Sequence, residues 1–437
     1  MSTRRKRKLA ADPVLDPALL FRRLAGSRGL LLAVSGGPDS TALMVLVARW
    51  QGRPPVLVAT VDHRLRPEAA DEAVRVGENA SRLGLPSRVL RTPGRHGAGN
   101  LQDWARRARY RCLVEAAREA GFDTIVTAHH REDQAETFLL RLARGSGVYG
   151  LAGMAEDGAR EELRLARPLL GVSRAALAEI AAASGLPTAD DPGNRDRRYD
   201  RVRMRRLMPT LAEHGLGPAR LAGTAARMRR AAAALDYYAG ALLETHCTVD
   251  SFGVMEGHVA AFAAAPEEVG LRALARILKA VGGADYTPRL DRVKALRTAI
   301  LAAADDGRIR RTLHGTVVCV EQGRLTAWRE WGRDGIDPVP VVAGDDHIWD
   351  RRFRVSVPML AGDLRVGPLG QSQRRLLSNS VGAASIKVLP GLFDGAALVA
   401  VPPGIVAPEG EVLRSLPAEC LVGRHLLGGG AAASALL

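Results

Sequence analysis

The sequence predicts an α/β protein in three parts: a parallel-sheet domain, a helical middle domain and a small, mostly β C-terminal domain. Three features lead there. Leu30 to Arg49 passes from a short apolar run, through Ser35-Gly36-Gly37-Pro38-Asp39-Ser40, into an apolar run of helical length. Strand-like and helix-like stretches then alternate as far as Gly185, which favours parallel strands joined by crossover helices. Past Gly217 the chain turns Ala- and Arg-rich, and past a Pro/Gly/Asp linker at 335–346 its apolar runs are short and broken by Pro and Gly. The expected parts are a basic unstructured tail at 1–20, the α/β domain at 21–217, the middle domain at 218–333, the C-terminal domain at 347–425 and an unstructured tail at 426–437.

Leu30 to Val34 reads as the first strand and Thr41 to Val47 as the helix after it. Pro55 to Val61 is a second strand, ending at Asp62-His63. Glu68 to Leu83 is a helix and Ser87 to Leu90 a short strand. After the Gly-rich connection 93–99, Asn100 caps a helix that Gly121 stops. Thr124 to Thr127 is a strand running into Ala128-His129-His130, and Arg131 to Ala143 a helix. Three strands thus end in polar residues, and in open parallel sheets ligands bind beyond the strand carboxyl ends. Farther on, 174–183, 218–246, 266–281 and 289–303 read as helices, and Thr312 to Thr326 as a hairpin turning near Glu321-Gln322-Gly323.

Two glycines let Ser35 to Ser40 turn tightly and aim successive N–H groups at one spot, where a helix N-terminus adds about half a positive charge. This predicts a phosphate cradle made of backbone. Asp39 at its mouth would repel a bare phosphate, so a bridging Mg²⁺ is the economical reading; helix capping is the plainer one. No lysine enters the helix, so this loop is not the common P-loop, and it is not Gly-x-Gly-x-x-Gly either, which argues against a dinucleotide fold. Arg106 and Arg109 share a helix face. Guanidinium suits phosphate and its charged transition state, with a solvated basic face as the alternative. Asp133 and Glu136 share a face, with His129 at the helix entrance. These are too few to specify a metal, and acids are ordinary at a helix start. Arg201, Arg203, Arg205 and Arg206 crowd one helix start, a density that suggests phosphate contact over a mixed surface face.

The net charge of +15 favours a polyanionic partner, although heavy use of Arg throughout offers a compositional alternative. Aromatic content of 4% argues against a broad base-stacking platform. No apolar run reaches the ~18 residues of a membrane helix, and no signal-peptide core follows the basic first residues. Cys112, Cys247, Cys319 and Cys420 are far apart, so no zinc knuckle or redox pair is signalled and a reducing cytoplasm fits.

SGGPDS resembles the pyrophosphate loop of the PP-loop ATP pyrophosphatases. The ordered set SGGPDS, VDHRLRPEAADEA, GNLQDWARRARY, TAHHREDQAETFLLRLARGSG, RPLL and DDPGNRDRRYDRVRMRRLMP, across 35–209, resembles the tRNA(Ile)-lysidine synthetases. Asp190 stands where that family usually has Glu, Glu132 where it often has Asp, and Val202 where Asn is frequent. The resemblance implies a PP-loop nucleotide-binding domain that uses ATP to adenylate the C2 oxygen of the wobble cytidine in a CAU-anticodon isoleucine tRNA. Free L-lysine then displaces AMP through its ε-amine, and the tRNA reads AUA instead of AUG. It implies ATP and Mg²⁺, with Asp39 as metal ligand. It also implies nucleotide contacts from Ser35, Gly36, Gly37, Pro38, Asp39, Ser40, Asp62, His63 and His129. Catalytic roles fall to Asp39, Arg106, Arg109, Asp133 and Glu136, and RNA contacts to Arg201, Arg203, Arg205, Arg206 and the two C-terminal domains. A lysine amine of pKa about 10.4 costs roughly 4–5 kcal/mol to deprotonate at pH 7, so Asp133 or Glu136 must both hold the ammonium and accept its proton.

The oligomeric state stays open, a homodimer included. Three rivals fit less well. A tRNA thiolase would need reactive cysteines, and Cys112 falls inside a helix with none nearby. An amidotransferase-type synthetase would need a glutaminase signature. A non-enzymatic RNA-binding protein would not need an intact SGGPDS.

Overall fold

In the computed structural model, residues 15–64, 68–92, 101–160, 163–189, 200–304, 307–370, 383–405 and 413–427 are described. The connection 93–99 with Asn100, the turn-rich 190–196 with Asp190, and the ends 1–14 and 428–437 lie outside them. The chain forms two units, Met1–Ala232 and Ala233–Leu437.

The first unit opens with a short helix, α1 (Pro17–Leu20), capped by Asp16, whose carboxylate accepts the Ala18 N–H at 2.9 Å. Residues 17–20 are therefore helical, within a stretch expected to be unstructured. There follow β1 (Leu30–Ala33), α2 (Pro38–Arg49), β2 (Val56–Asp62), α3 (Glu68–Arg82), β3 (Ser87–Arg91), α4 (Leu101–Glu119), β4 (Thr124–Thr127), α5 (Arg131–Ala143), α6 (Val148–Leu151), β5 (Asp157–Arg160), β6 (Leu163–Ala166), α7 (Arg174–Ala183), α8 (Asp200–Glu213) and the first half of α9 (Pro218–His246), whose residues from Ala233 on belong to the second unit. The sheet order is β3-β2-β1-β4-β6-β5. β1 is central, with Leu30 opposite Val56 on one parallel neighbour and Thr124 on the other. β5, at the edge, runs antiparallel to β6.

Alternation along β1 decides the packing. Leu30 and Leu32 meet Leu43, Leu46 and Val47 of α2 and Leu177 of α7. Leu31 and Ala33 meet Leu113, Val114 and Ala117 of α4 on the other face. A run apolar on both faces is what a central parallel strand requires. The chain leaves β1 for β2 on one side and returns to β4 on the other, so the strand order reverses between β1 and β4 and opens a crevice at their carboxyl ends. The β5–β6 hairpin was not anticipated, because RLA between charged residues carries too short an apolar pattern.

The second unit holds β7 (Cys247–Val249), β8 (Met255–His258), α10 (Val259–Ala264), α11 (Glu267–Val281), α12 (Leu290–Ala302), β9 (Arg308–Leu313), β10 (Thr316–Glu321) and β11 (Arg324–Arg329). The helices pack on a five-stranded sheet of order β7-β8-β11-β10-β9. The expected hairpin is thus a three-stranded meander. Both of its turns, His314-Gly315 and Gln322-Gly323, have positive φ at each residue (56° and 73°, 51° and 70°), the geometry that suits two-residue hairpin loops. β9 was hidden by its sequence, RIRRTL, which lies mostly exposed at the sheet edge.

Next come β12 (Val339–Pro340), which lies inside the expected linker, β13 (Asp346–Trp349), β14 (Phe353–Ser356), β15 (Leu364–Pro368), α13 (Ala383–Ile386), β16 (Pro390–Asp394), β17 (Ala397–Val401), β18 (Arg414–Ser415), β19 (Ala418–Cys420) and α14 (Val422–Leu427). Sheets β12-β15-β16-β17-β18 and β13-β14-β19 enclose Trp349, Phe353, Val366 and Leu392. The last helix, α14, leaves this core. Its Val422 and Leu426 are buried in the cluster of Leu274 and Leu278 from α11, so residues 426 and 427 are structured rather than part of a tail.

Leu426→Ala should therefore cost about 2–5 kcal/mol in urea unfolding, whereas Leu19→Ala, at a leucine 66% exposed, should stay within about 0.5 kcal/mol. A second expectation concerns Asp123, which accepts the Arg28 N–H at 3.1 Å and the Thr124 hydroxyl at 2.9 Å. Burial pushes its carboxyl up, but these bonds outweigh burial and hold it below the usual carboxylate range. Its folded pKa is below its unfolded one, so its stabilisation is present above about pH 4 and lost as pH falls through the folded value. In thermal melts, Asp123→Asn should lower Tm at neutral pH, and the gap from wild type should close as pH is lowered.

Candidate active site

The loop after β1 is built by its glycines. Gly36 sits at φ +83°, where a Cβ would be strained and would also come 3.3 Å from Val76. Its carbonyl accepts the Ala189 N–H at 2.9 Å. Pro38, at the first helical position, has no N–H to lose there. The Ser40 hydroxyl donates to Gly37 O at 3.0 Å and accepts the Ser35 N–H at 3.3 Å, closing the loop on itself. The first turn of α2 thus presents backbone N–H groups at the crevice.

Asp39 stands on that turn. Its Oδ2 lies 3.4 Å from His130 Nε2, and its Oδ1 is buried with no hydrogen-bond partner. His130, at the entrance of α5, is the hub. Its Nδ1 is 3.0 Å from Glu132 Oε2, its Nε2 is 3.5 Å from Asp133 Oδ2, and its backbone N–H donates to the same Asp133 oxygen at 3.1 Å. Burial alone would depress its pKa, but hydrogen bonds to Asp39 and Glu132, with the Asp133 charge behind them, raise it to about 9. It is therefore an imidazolium at neutral pH. Glu132 also accepts the Arg174 N–H at 2.8 Å; burial pushes its carboxyl up, and the bonds from His130 and Arg174 bring it below the usual range. Sequence reasoning chose His129 and passed over His130. The available signal was its N-cap position, one residue before an acid-rich helix start.

His129 behaves oppositely. Its Nδ1 meets the Thr127 hydroxyl at 2.8 Å. Burial, reinforced by Arg167, Arg201 and Arg109, lowers its pKa to about 3 despite Asp133, so it is neutral. His63, at the end of β2, is also pushed down, by burial and then by Arg109, and its Nδ1 is buried without a partner. Asp62 accepts the Arg64 N–H at 2.8 Å. The predicted arginine pair is split: Arg109 acts on His63 and His129, whereas Arg106 is exposed and lies against the Tyr110 ring at 5.2 Å.

Glu136 is almost fully buried and already engaged. Arg205 reaches it with Nε at 2.7 Å and Nη2 at 3.4 Å, and Arg201 Nε stands 3.7 Å away. The four arginines expected on one RNA-facing surface are therefore divided. Arg201 and Arg205 turn inward to Glu136, Arg203 pairs with Asp200, and Arg206 is exposed. Val202, at a position where a polar residue would have left a hydrogen bond to satisfy, is buried.

Among the described residues no group of three or more His, Cys, Asp or Glu could hold a metal ion by itself. The free Oδ1 of Asp39 offers one ligand. That suits Mg²⁺, which takes one or two carboxylates and completes its shell with phosphate oxygens and water.

The PP-loop domain family matches residues 5–211. The tRNA(Ile)-lysidine synthase of Methylobacterium sp. (strain 4-46) is 48% identical over 327 residues, covering 72% of this chain and 95% of that protein. The enzyme of that name from Bradyrhizobium sp. (strain BTAi1) is 46% identical over 328 residues, covering 70% and 91%. The one from Ruegeria pomeroyi is 39% identical over 384 residues, covering 86% and 88%. Identity of this order, across nearly the full length of such relatives and with the nucleotide loop intact, means that the chain belongs to the tRNA(Ile)-lysidine synthase family.

Proposed function

We propose that this protein forms lysidine at the wobble cytidine of a CAU-anticodon isoleucine tRNA, using ATP to adenylate the C2 oxygen and free L-lysine to attack C2 and displace AMP. One observation carries the reading: a backbone anion loop, an unpartnered Asp39 oxygen and the His130–Asp133 pair meet at one strand-order reversal, in a chain of this family. The N–H groups at the start of α2 take the pyrophosphate half of ATP. His130 holds one oxygen of Asp39, which leaves the other for Mg²⁺. When bound, Mg²⁺ neutralises charge on the departing pyrophosphate. Arg109 adds fixed positive charge, held by the scaffold rather than by solvent. His63 and His129, being neutral, can accept as well as donate hydrogen bonds to the nucleotide.

For the second step we assign the incoming ammonium to Asp133. Glu136 has both oxygens on Arg205, so lysine could reach it only by displacing a guanidinium. Glu136 then acts by positioning Arg205 and Arg201, and Asp133 accepts the proton as attack proceeds. RNA contacts are assigned to Arg203, Arg206 and the second unit. Among the described residues no helix is long and apolar enough to cross a membrane, and we place the enzyme in the cytoplasm.

The test is incubation with ATP, Mg²⁺, radiolabelled lysine and the isoleucine tRNA, with elongator methionine tRNA as control. Label should enter only the isoleucine tRNA and only with ATP; release of AMP with some other nucleophile would discard the lysidine assignment. Asp133→Asn and Glu136→Gln should each slow lysine transfer by roughly 10²–10⁴-fold with ATP binding intact. Arg205→Ala should reproduce the Glu136→Gln defect and add little to it in the double variant, while adding fully to Asp133→Asn. Normal transfer by Asp133→Asn would remove that residue from the mechanism.

A further inference from the structure

Most surface arginines around the β5–β6 hairpin are answered by acids. Arg23 pairs with Glu156 at 3.0 Å and with Asp157 at 2.8 Å, Arg164 with Asp157 at 2.7 Å, and Arg28 with Asp123 at 3.6 Å. Two are not. Arg160, the last residue of β5, places its guanidinium carbon 5.0 Å from the centroid of the Tyr110 ring, and Arg106, from α4, places its own 5.2 Å from the same centroid. Both arginines are exposed, and the ring beneath them is buried. Among the described residues neither has a carboxylate partner. Arg167 hydrogen-bonds the Tyr110 side chain and adds a third positive charge.

An edge strand often carries a cation to discourage pairing with another chain, but such a side chain needs only to reach water. Arg160 instead lies over the Tyr110 ring, which Arg106 also approaches. The ring quadrupole attracts each guanidinium, which keeps both at the same ring. Like charges gathered on one aromatic, with no carboxylate partner among the described residues, form a receptor for an anion, and the planar fork matches phosphate.

We propose that Arg106 and Arg160, laid against Tyr110, bind backbone phosphates of the RNA substrate, outside the nucleotide site. The proposal rests on the tRNA reading above. ATP is the less suitable source of phosphate. Its cradle lies at the end of β1, and β5 is three strands away, or about 14 Å at ~4.8 Å per strand. A chain of net charge +15 facing a polyanion fits the RNA.

The experiment measures the affinity of the full-length protein for CAU-anticodon isoleucine tRNA across salt, for wild type, Arg160→Gln and Arg23→Gln. The last removes the same charge from an acid-paired arginine. Arg160→Gln should weaken binding several-fold and reduce the log–log salt slope by about 1, while Arg23→Gln leaves the slope as it was and the KM for ATP is unchanged in both. Arg160→Lys should recover the slope. A wild-type slope in Arg160→Gln, or a raised KM for ATP without a change in slope, would overturn the proposal. Wild-type protein that fails to bind the tRNA at all would overturn the tRNA reading, and this inference with it.

Discussion

Three carboxylates crowd one imidazole at the carboxyl end of the sheet, and the site depends on that arrangement. Asp39 comes from the nucleotide loop, Glu132 and Asp133 from the first turn of α5, and His130 joins them across the gap between β1 and β4. Without a cation at its centre, three acids this close would repel one another and splay the two loops. With His130 protonated, the same charges tie the loops together and fix which oxygen of Asp39 stays free. The imidazolium is stabilised by the carboxylates that it gathers, so structure and protonation state support each other.

The neighbouring histidine shows how finely position decides charge. His129 precedes His130 in sequence yet is neutral, because burial and three arginines act on it where carboxylates act on His130. A cationic brace and a neutral hydrogen-bonding group thus sit side by side at the end of one strand. Glu136 extends the pattern by one helical turn. It anchors Arg205 and Arg201 from α8, so the arginine-rich helix is fastened to the acid-bearing one through a buried carboxylate. A buried carboxylate of this kind is costly to strand without its partners, which makes the α5–α8 contact an all-or-none feature of the site.

The second unit is braced by similar means. Arg352, 1% exposed, donates to Asp350 at 2.6 Å, and Arg329 joins the same carboxylate at 3.0 Å. Its guanidinium also lies 5.0 Å from the Phe353 ring centroid. The last described helix crosses back to the cluster under α11, so the two sheets at the end of the chain and the helices before them share a fold rather than merely a linker.

Much of this was legible in the sequence. The consecutive leucines of β1, the glycines at 36 and 37 and the alternation of strands with helices are local features, and local features determined the parallel-sheet domain and the anion loop. The turn at Gln322-Gly323 was legible for the same reason, since backbone sterics act within a few residues. What tertiary structure alone decided is the partner of each charge. Arg205 and Arg206 are adjacent in sequence, but one is half-buried against Glu136 and the other is exposed; Arg160 carries no motif until Tyr110 and Arg106 come beside it. Helical spacing tells which residues share a face, but not which face meets another chain segment. The energy of a charge is set by whatever lies within a few ångströms of it, and in a folded chain those neighbours come from distant parts of the sequence.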